Sequence, residues 1–515
     1  MSFYDRMMNS RFVLHTLLGI GVGVLIYKSR KDRARRNAIQ QKLNSIPPGL
    51  SYRQCDVMES SLDVAHRVGG LIDTNVLFIE SDREIGKELV QKSVDLLWDR
   101  YIMLRLKVLT VDTGARILPR FLVEMERSPV KCRVELRDGN DWKQVFESEI
   151  LRPLDCDDGP LWRVCMLNVD EFKYAFVFTF HHAIVDGAAI MQILTEFQRN
   201  IDVLLRGVEP QMPDDYSDHS QVITPNLSEM LKNDPRYAWS ISDVTTPLRL
   251  SKTMSTPDTG LAGELSRTLG PKGSIEYKTS IEEFELSEVQ SSALRKKCKE
   301  MKCTVHGACT AAAALALRKL AQLNDIEDEY LRTFPTSLNV SMRRYVNAAM
   351  NGRLGNFISI IGLPVMLVKP GSQTPVEFWE LARESTEQVH LGLNDGLQFL
   401  FTKMLKLMRY FGSDRGFCDM WSGGGDSPRH KMFNISNRGL FKNVPGERVT
   451  RITGVYWATA EHSCPMGRFT HNVVSLDDKM YWSVTNYLNV TRRESARQYA
   501  DLIKSILVEN IIRVE

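Results

Sequence analysis

Two adjacent histidines, His181 and His182, are followed by an Asp-Gly pair at positions 186–187 in the stretch YAFVFTFHHAIVDG. An imidazole has a pKa near working pH, so it can accept and return a proton during a reaction. Residues 174–180 alternate in the two-residue period of a strand, with apolar residues on both faces. After position 187 the apolar residues follow the spacing of an amphipathic helix. The histidines are therefore predicted in a strand-to-helix turn, where catalytic side chains are often placed. The alternative is a hydrogen-bonded pair that only caps the strand.

The elements that must position this turn alternate between strand-like and helix-like segments from about Pro47 onward, which is typical of an α/β protein. Between about Gly207 and Gly273 the sequence is rich in Pro, Ser, Thr, Asp and Gly and has no clear period, which indicates a crossover between two halves. The predicted division is 1–36, a membrane anchor with a basic flank; 45–206, a first lobe carrying the histidine turn; 207–273, the crossover; and 274–515, a second lobe.

The composition limits the possible partners. With 66 Lys and Arg against 63 Asp and Glu, the formal charge is +3, and no basic stripe recurs along the folded part, so nucleic acid is not expected as a partner. The nine cysteines are odd in number, scattered and free of CxxC pairs, which favours reduced thiols in the cytosol over a disulfide framework. No zinc spacing is found among the Cys and His residues, and no metal is expected.

The segment Phe12–Tyr27 is apolar apart from His15 and Thr16, and six Lys or Arg residues follow it between positions 28 and 36. A secretory signal peptide carries its charge before the apolar run, so secretion is not expected. The basic flank instead favours a single-pass anchor with residues 28–515 in the cytosol. The endoplasmic reticulum is the expected membrane, and the mitochondrial outer membrane is the alternative. A buried helix or a mitochondrial presequence are the other interpretations of this segment.

The residues HHAIVDG match HHxxxDG, and on this motif the chain resembles the acyl-coenzyme A-dependent acyltransferases related to chloramphenicol acetyltransferase. Three further stretches resemble segments of that superfamily: DDGPLWRVCML at 157–167, NVSMRRYVNAAMNGRLGNFISI at 339–360 and MFNISNRG at 432–439. The resemblance covers about residues 45–510 and is closest to the branch of alcohol acetyltransferase-like enzymes and condensation domains. The DFGWG element of the plant members is not found.

This resemblance implies an α/β fold of two chloramphenicol-acetyltransferase-like lobes, each a mixed sheet with flanking helices, behind the N-terminal transmembrane helix. It implies transfer of an acyl group from acyl-CoA to the hydroxyl or amine of a hydrophobic acceptor, in a tunnel between the lobes. Acyl-CoA would be a co-substrate, with no further cofactor, no metal and no covalent intermediate, and the enzyme is expected to be a monomer.

The resemblance also assigns roles to the residues of the turn. His182 would be the general base, and His181 would be a packed neighbour. Asp186 would form an ion pair that shapes the turn, with Arg343 or Arg344 as its partner; the sequence does not choose between them.

Three more residues are candidates by the same resemblance. Gly187 would leave room for the channel and tolerate the backbone of the turn. Ser436 and Asn437 would donate hydrogen bonds to the tetrahedral oxyanion or to the coenzyme arm; the alternative is an ordinary turn.

The helix at Gly396–Gly412 is predicted to face the core with a solvated basic edge formed by Lys403, Lys406 and Arg409, or otherwise to rest on a membrane surface.

Two other functions are also compatible with the sequence. One is a wax ester or diacylglycerol-type lipid acyltransferase, and the other is a non-catalytic ligand-binding or scaffold protein on the same fold. The intact His182, Asp186 and Gly187 argue against the second of these. The acyl chain length, the acceptor and the choice between O- and N-transfer are not given by the sequence.

Overall fold

The computed structural model describes residues 31–126, 132–208, 221–238, 260–347, 350, 352–368, 376–411, 413–414, 416, 432–443, 448–461 and 467–512. The predicted anchor Phe12–Tyr27 lies outside these residues. Among the described helices, none combines the length and the apolar content required to cross a bilayer. The seven described cysteines carry free thiols.

The chain alternates strands and helices as its sequence predicts. The first half contains α1 (residues 31–43), β1 (Tyr52–Gln54), α2 (Val57–Arg67), β2 (Ile72–Ser81), α3 (Lys87–Arg100), β3 (Leu106–Thr110), β4 (Arg120–Glu124), β5 (Glu135–Leu136), α4 (Trp142–Ile150), β6 (Trp162–Asp170), β7 (Lys173–His181) and α5 (Gly187–Leu205). The rest contains α6 (Leu227–Leu231), α7 (Leu261–Leu269), β8 (Thr279–Leu286), α8 (Glu288–Glu300), α9 (Val305–Gln322), β9 (Thr333–Ser341), β10 (Ile358–Met366), α10 (Phe378–Asn394), α11 (Leu397–Phe411), β11 (Phe433–Phe441), β12 (Thr450–Thr459), β13 (Phe469–Leu476), β14 (Lys479–Tyr487) and α12 (Arg493–Ile512).

The first lobe is built on a five-stranded sheet in the order β12-β2-β7-β6-β5. The strand β7 lies at its centre, antiparallel to β2 and to β6, and every residue of β7 after Lys173 is buried. The apolar residues of its two faces therefore form the core that the sequence pattern predicts. On one face the Phe197 ring of α5 packs edge-on against Phe176 and Phe178. A rigid sheet thus holds the end of β7, where the two histidines lie.

The second lobe is built on a six-stranded sheet in the order β10-β9-β11-β13-β14-β8. The strand β11 runs parallel to β9 and β13, and the other pairs are antiparallel, so the sheet is mixed as predicted. The alanine-rich helix α9 is buried against this sheet and against α10 and α12. At Gly307 the helices come so close that an added Cβ would lie 2.4 Å from the carbonyl oxygen of Ala382 on α10.

The strand β12 departs from the predicted division into lobes. It lies within 274–515 but pairs antiparallel with β2, so it completes the sheet of the first lobe. The crossover also departs from its predicted range, because α7 packs through Leu261, Leu265 and Leu269 into the core of the second lobe. The second core thus begins before residue 274, and the chain crosses between the lobes more than once.

A small three-stranded sheet, in the order β1-β4-β3, flanks the first lobe. The helix α1 covers it, with Ile39 and Leu43 packed on Val111, Phe121 and Val123. The positions 31–36 of the predicted basic flank therefore belong to a helix of the folded body.

The helix α11 faces the core, but its basic edge is not solvated in the way predicted. Lys403 is only 3% exposed. The ammonium group of Lys406 lies 3.6 Å from the centroid of the Tyr237 ring, which is a cation–π contact. The side chain of Arg409 lies outside the described part. The basic edge is thus partly covered by residues that follow the first lobe.

Candidate active site

The motif HHAIVDG lies where β7 ends and α5 begins, as the change of sequence period predicts. His181 is the last residue of β7, and Asp186 is the N-cap residue of α5, whose side chain accepts a hydrogen bond from the Ala189 N–H at 2.9 Å. Asp186 thereby satisfies one of the free N–H groups of the first helical turn. His182 lies between these two fixed points, so its backbone is held from both sides.

The ring of His182 is oriented by two hydrogen-bond partners. Its Nδ1 lies 2.9 Å from the carbonyl oxygen of Val185 and 3.2 Å from the side-chain nitrogen of Asn356. The carbonyl can only accept a hydrogen bond and makes the shorter contact, so we assign the proton to Nδ1. The Asn356 side-chain amide donates to the carbonyl oxygen of His182 at 2.7 Å and fixes the backbone of the turn from the second lobe. With the proton on Nδ1, Nε2 has a free lone pair, and no described residue forms a hydrogen bond with it. The side chain is half-buried. This is the tautomer that a general base requires.

Asn356 was not singled out by the sequence analysis. It lies in the stretch RLGNFISI, at the end of the segment 339–360 that resembles the acyltransferase superfamily. The Gly-Asn pair of that segment is the signal in the sequence that could have identified Asn356. Its oxygen also accepts a hydrogen bond from the Ile358 N–H at 3.3 Å, which fixes the amide orientation. Because the amide nitrogen faces the His182 carbonyl, Asn356 is a positioning residue for the turn.

His181 is fully buried next to the sheet and forms a different set of contacts. Its Nδ1 accepts a hydrogen bond from the Ala183 N–H at 3.1 Å, and its Nε2 lies 3.6 Å from Asp63 on α2. The His66 ring lies 4.4 Å away, centroid to centroid. Burial raises the pKa of Asp63, but the neighbouring His181 and Arg67 outweigh it and hold that pKa below its usual value. His181 therefore packs behind the turn in a charged cluster.

His66, Cys156 and His181 could be read as a metal site, because one ligand atom from each lies within 4.8 Å of the others. The tautomers argue against this. His66 Nε2 accepts a hydrogen bond from the Leu154 N–H at 2.9 Å, so its proton lies on Nδ1, and the Ala183 contact likewise leaves the His181 proton on Nε2. The two ring nitrogens without a hydrogen bond among the described residues, His66 Nδ1 and His181 Nε2, thus carry the protons, and a ring nitrogen must lose its proton to bind a metal.

Asp186 connects the turn to the second lobe through Arg343. The guanidinium donates to both carboxylate oxygens, at 2.9 Å from Nε and 2.8 Å from Nη2, and the Phe357 N–H donates at 3.3 Å. Arg343 in turn donates to the carbonyl oxygen of Arg353 at 2.9 Å. Arg344 takes no part in this pair, and its guanidinium lies over the Tyr345 ring at 6.0 Å. Of the two arginines left open by the sequence, Arg343 is the partner.

Gly187 leaves room for a side chain rather than for a channel. An added Cβ would lie 3.0 Å from Cγ and Nε of Arg438. Its φ is not in the left-handed region, so the predicted tolerance of an unusual backbone is not what requires glycine here. Close approach of a neighbouring side chain is the physical reason for this glycine.

Arg438 lies inside the stretch SNRG. The resemblance to the superfamily rests on the Ser, Asn and Gly of this stretch and specifies no residue type at the arginine. Arg438 projects from β11 and crosses to the first lobe, where it donates to Asp73 at 2.6 Å and to Asn75. Its guanidinium stacks on the Trp457 ring of β12 at 3.6 Å. Burial lowers the pKa of Arg438, and Asp73 opposes this effect. Arg438 thus forms a second connection between the lobes next to the turn.

Replacing Gly187 with alanine is expected to destabilise the fold by about 1–3 kcal/mol, because the new Cβ meets the side chain of Arg438, which Asp73, Asn75 and the Trp457 ring hold in place. Gly263→Ala is the matched control, since this helical glycine has no atom within 4 Å of an added Cβ. That control should be stabilised by roughly 0.5–1 kcal/mol. Chemical denaturation of both variants measures the difference, and equal stabilisation of the two would contradict the packing of Arg438 on Gly187.

Ser436 and Asn437 lie on β11, two and one residues before Arg438. Ser436 continues the regular pairing with Asn472 on β13, and a bulge begins after Asn437. The Asn437 side-chain oxygen accepts a hydrogen bond from the Gly439 N–H at 2.8 Å, so this residue forms a local turn, as the alternative interpretation predicts. Its amide N–H group is not used by this turn. A role for either residue toward an oxyanion or coenzyme stays a prediction.

Comparison with known proteins gives the family and the fold of the chain. A family model described as "Condensation domain" matches residues 75–390. Over 148 residues the chain is 26% identical to nonribosomal peptide synthetase kk1B of Curvularia clavata, a match that covers 27% of this chain and only 1% of that relative. The TRI3 trichothecene 15-O-acetyltransferase of Fusarium sporotrichioides has the same fold, with a TM-score of 0.64 at 11% identity, over 89% of this chain and 95% of that one.

The starter condensation domain of rhizomide synthetase RzmA, solved with C8-CoA and Leu-SNAC, is also similar in fold. Its TM-score is 0.57 at 13% identity, over 89% of this chain and 94% of that one. The two solved structures show the fold alone at these identities. The family model covers more than half of the chain and includes the histidine turn, Arg343 and Asn356. On this match the chain belongs to the condensation domain family, whose two-lobed fold it has.

Proposed function

We propose that the protein is an acyltransferase that moves an acyl group from acyl-CoA to the hydroxyl or amine of a hydrophobic acceptor, acting as a monomer. The observation that carries the proposal is the ring of His182. Its Nδ1 is held by the Val185 carbonyl, so Nε2 is left as a free base at the end of a buried strand. A base of this kind is what an alcohol or amine needs when it attacks a thioester.

In the proposed reaction the acceptor oxygen or nitrogen attacks the thioester carbonyl carbon while its proton passes to Nε2 of His182. The tetrahedral intermediate then collapses, the carbon–sulfur bond breaks, and the imidazolium returns the proton to the departing thiolate. No acyl-enzyme and no metal take part. Ser436 and the free amide of Asn437 are proposed as donors to the oxyanion or the coenzyme arm. Asp186 acts only by holding the turn, since both of its oxygens are bound by Arg343.

One protein of similar fold supports acyl-CoA as the donor, and another supports acyl transfer to a hydroxyl. The RzmA domain was solved with C8-CoA, and TRI3 is by its title an O-acetyltransferase. A lipid acyltransferase of the wax ester or diacylglycerol type has the same chemistry and differs only in the substrates. The contacts of His182, Asp186 and Gly187 argue against a non-catalytic protein, because a fold that only binds a ligand needs no oriented base.

The proposal is tested by thiol release from acyl-CoAs of graded chain length, offered with a panel of alcohols, sterols and amines. We expect thiol release that depends on the acceptor, and mass spectrometry should find the acylated acceptor. The responding acyl length and acceptor then separate an acetyltransferase from a lipid acyltransferase. No acceptor-dependent release with any pair would contradict the proposed function.

We also propose that residues 12–27 anchor the protein in the endoplasmic reticulum with the body in the cytosol, where acyl-CoA is available. A chain that begins at residue 31 keeps α1 on its small sheet, so it should leave the membrane fraction and retain full activity. The full chain should resist extraction by alkaline carbonate, and protease added to intact microsomes should digest its body. Protection of the body from protease, or a shortened chain that still sediments with membranes, would contradict this topology.

A further inference from the structure

Two cysteines of the second lobe, Cys298 and Cys303, lie next to each other where α8 ends and α9 begins. Both carry free thiols, and neither takes part in the proposed reaction. Of the seven described cysteines, Cys303 is the one that is not buried. A small oxidant can therefore reach it in the folded protein.

The end of α8 has a backbone arrangement that brings the two cysteines together. Lys302 lies in the left-handed region with a φ of 56°, and its N–H donates to the Lys299 carbonyl at 3.2 Å. The Cys303 N–H donates to the Cys298 carbonyl at 2.9 Å. These two bonds form a Schellman motif, in which the side chains at the positions of Cys298 and Cys303 commonly touch. Standard bond lengths then keep the two Cα atoms within about 6.8 Å of each other, which a disulfide can span.

The position of Cys303 is also fixed from the side of α9. Thr304, the next residue, is the N-cap of α9, and its hydroxyl accepts a hydrogen bond from the Gly307 N–H at 3.0 Å. The Thr304 N–H donates to the Thr386 hydroxyl of α10 at 3.1 Å. The backbone of Cys303 thus stays beside Cys298 unless one of these helix ends opens.

The surroundings give the two thiols different reactivity. The neighbouring Cys298 thiol lowers the pKa of Cys303, and the guanidinium of Arg383 on α10 acts in the same direction against the effect of burial. The contact with Cys303 and burial both raise the pKa of Cys298. The thiolate is the reactive form of cysteine, so Cys303 is the group that reacts first with an oxidant. Cys298 stays protonated until it is needed as the second partner.

We propose that Cys298 and Cys303 form a reversible disulfide when the protein meets a hydroperoxide. The Cys303 sulfur attacks the peroxide, a sulfur–oxygen bond forms and the oxygen–oxygen bond breaks, which gives a sulfenic acid and one water from hydrogen peroxide. The Cys298 sulfur then attacks the Cys303 sulfur, the disulfide bond forms, and the hydroxide that leaves takes up the Cys298 proton as a second water. Two thiols are oxidised by two electrons and one peroxide is reduced.

A low-molecular-weight thiol restores the pair by exchange, so the modification is reversible in a reducing compartment. The site goes beyond the proposed acyl transfer. Its chemistry can be measured on the protein itself, whether or not the acyl transfer is observed.

Peptide mass spectrometry of the full chain, oxidised with hydrogen peroxide in its folded state, tests the site directly. Tryptic cleavage after Lys299 and Lys302 places the two cysteines in different peptides, so a bridge is seen as a linked peptide pair that dithiothreitol separates. Before oxidation, iodoacetamide should label Cys303 more than about tenfold faster than the six buried cysteines. Absence of the linked pair after oxidation, or equal labelling of all these cysteines, would overturn the proposal.

Three variants assign the roles. In Cys298→Ser the reaction should stop at the sulfenic acid, which dimedone traps on Cys303. In Cys303→Ser no bridge should form, and oxidation of Cys298 should slow more than about tenfold because this thiol is buried. Cys309→Ala is the matched control, since the peptide that begins at Cys303 also contains Cys309, and the bridge should form in it as in the wild type. A bridge that is lost in Cys309→Ala, or that persists in Cys303→Ser, would contradict the proposed pair.

Discussion

Replacing His182 with alanine is expected to lower kcat for acyl transfer by roughly two to four orders of magnitude, because the attacking group loses its proton acceptor. The fold should be retained, since the ring is half-buried and its hydrogen-bond contacts with described residues are those with the Val185 carbonyl and the Asn356 amide. Acyl-CoA binding should also be retained, because the base acts on the acceptor. Steady-state thiol release, with saturating acceptor, measures the effect.

Two controls accompany this variant. Thermal melting of His182→Ala should follow the wild-type curve, which separates loss of chemistry from loss of structure. Binding of a non-hydrolysable acyl-CoA analogue should also be unchanged. Turnover at the wild-type rate would remove His182 from the mechanism, and the remaining titratable groups of the turn would then have to be considered.

The second large effect is expected at the ion pair of Asp186 and Arg343. Removing one partner of a buried pair leaves the other charge without compensation, which costs about 3–5 kcal/mol. Asp186 is 2% exposed, and three N–H groups outside its own helix bind its two oxygens. Arg343→Gln should therefore reduce the free energy of unfolding strongly and should reduce activity as well, because the turn is no longer held to the second lobe. Asp186→Asn should act in the same direction, although asparagine still caps α5.

Arg344→Gln is the matched control for this prediction. The two arginines are adjacent in sequence, but only Arg343 reaches the carboxylate. The control should unfold at the same denaturant concentration as the wild type. An unchanged midpoint for Arg343→Gln, or equal losses for both arginine variants, would show that the Asp186 pair does not stabilise the fold.

The turn was predictable because two local signals agree. The change of apolar period at Gly187 marks the end of a strand and the start of a helix, and Asp186 is a favourable N-cap residue. The same reasoning predicts β7 and α5, which are long and strongly periodic. Local patterns of this kind are set by which face of each element is buried, and the sequence records that directly.

What the sequence did not predict depends on contacts between distant positions. The pattern of β12 indicates a strand but cannot say which sheet it joins, and it pairs with β2 of the other lobe. Arg438 was overlooked because its partner Asp73 is 365 positions away. Arg343 and Arg344 are identical in type, and only the direction of each side chain on the short helical turn distinguishes them. Lys403 was expected in solvent because a charged residue on an amphipathic helix usually lies there.

The central claim is direct transfer of an acyl group from the thioester to the acceptor with His182 as base. It is tested most directly by a single turnover with acyl-CoA that is isotopically labelled in the acyl group, in the presence of an acceptor identified by the panel. The account predicts one free thiol per acylated acceptor, with all of the label in the acceptor, none on the protein, and the whole signal lost in His182→Ala. Label attached covalently to the protein, or transfer that persists in His182→Ala, would contradict it.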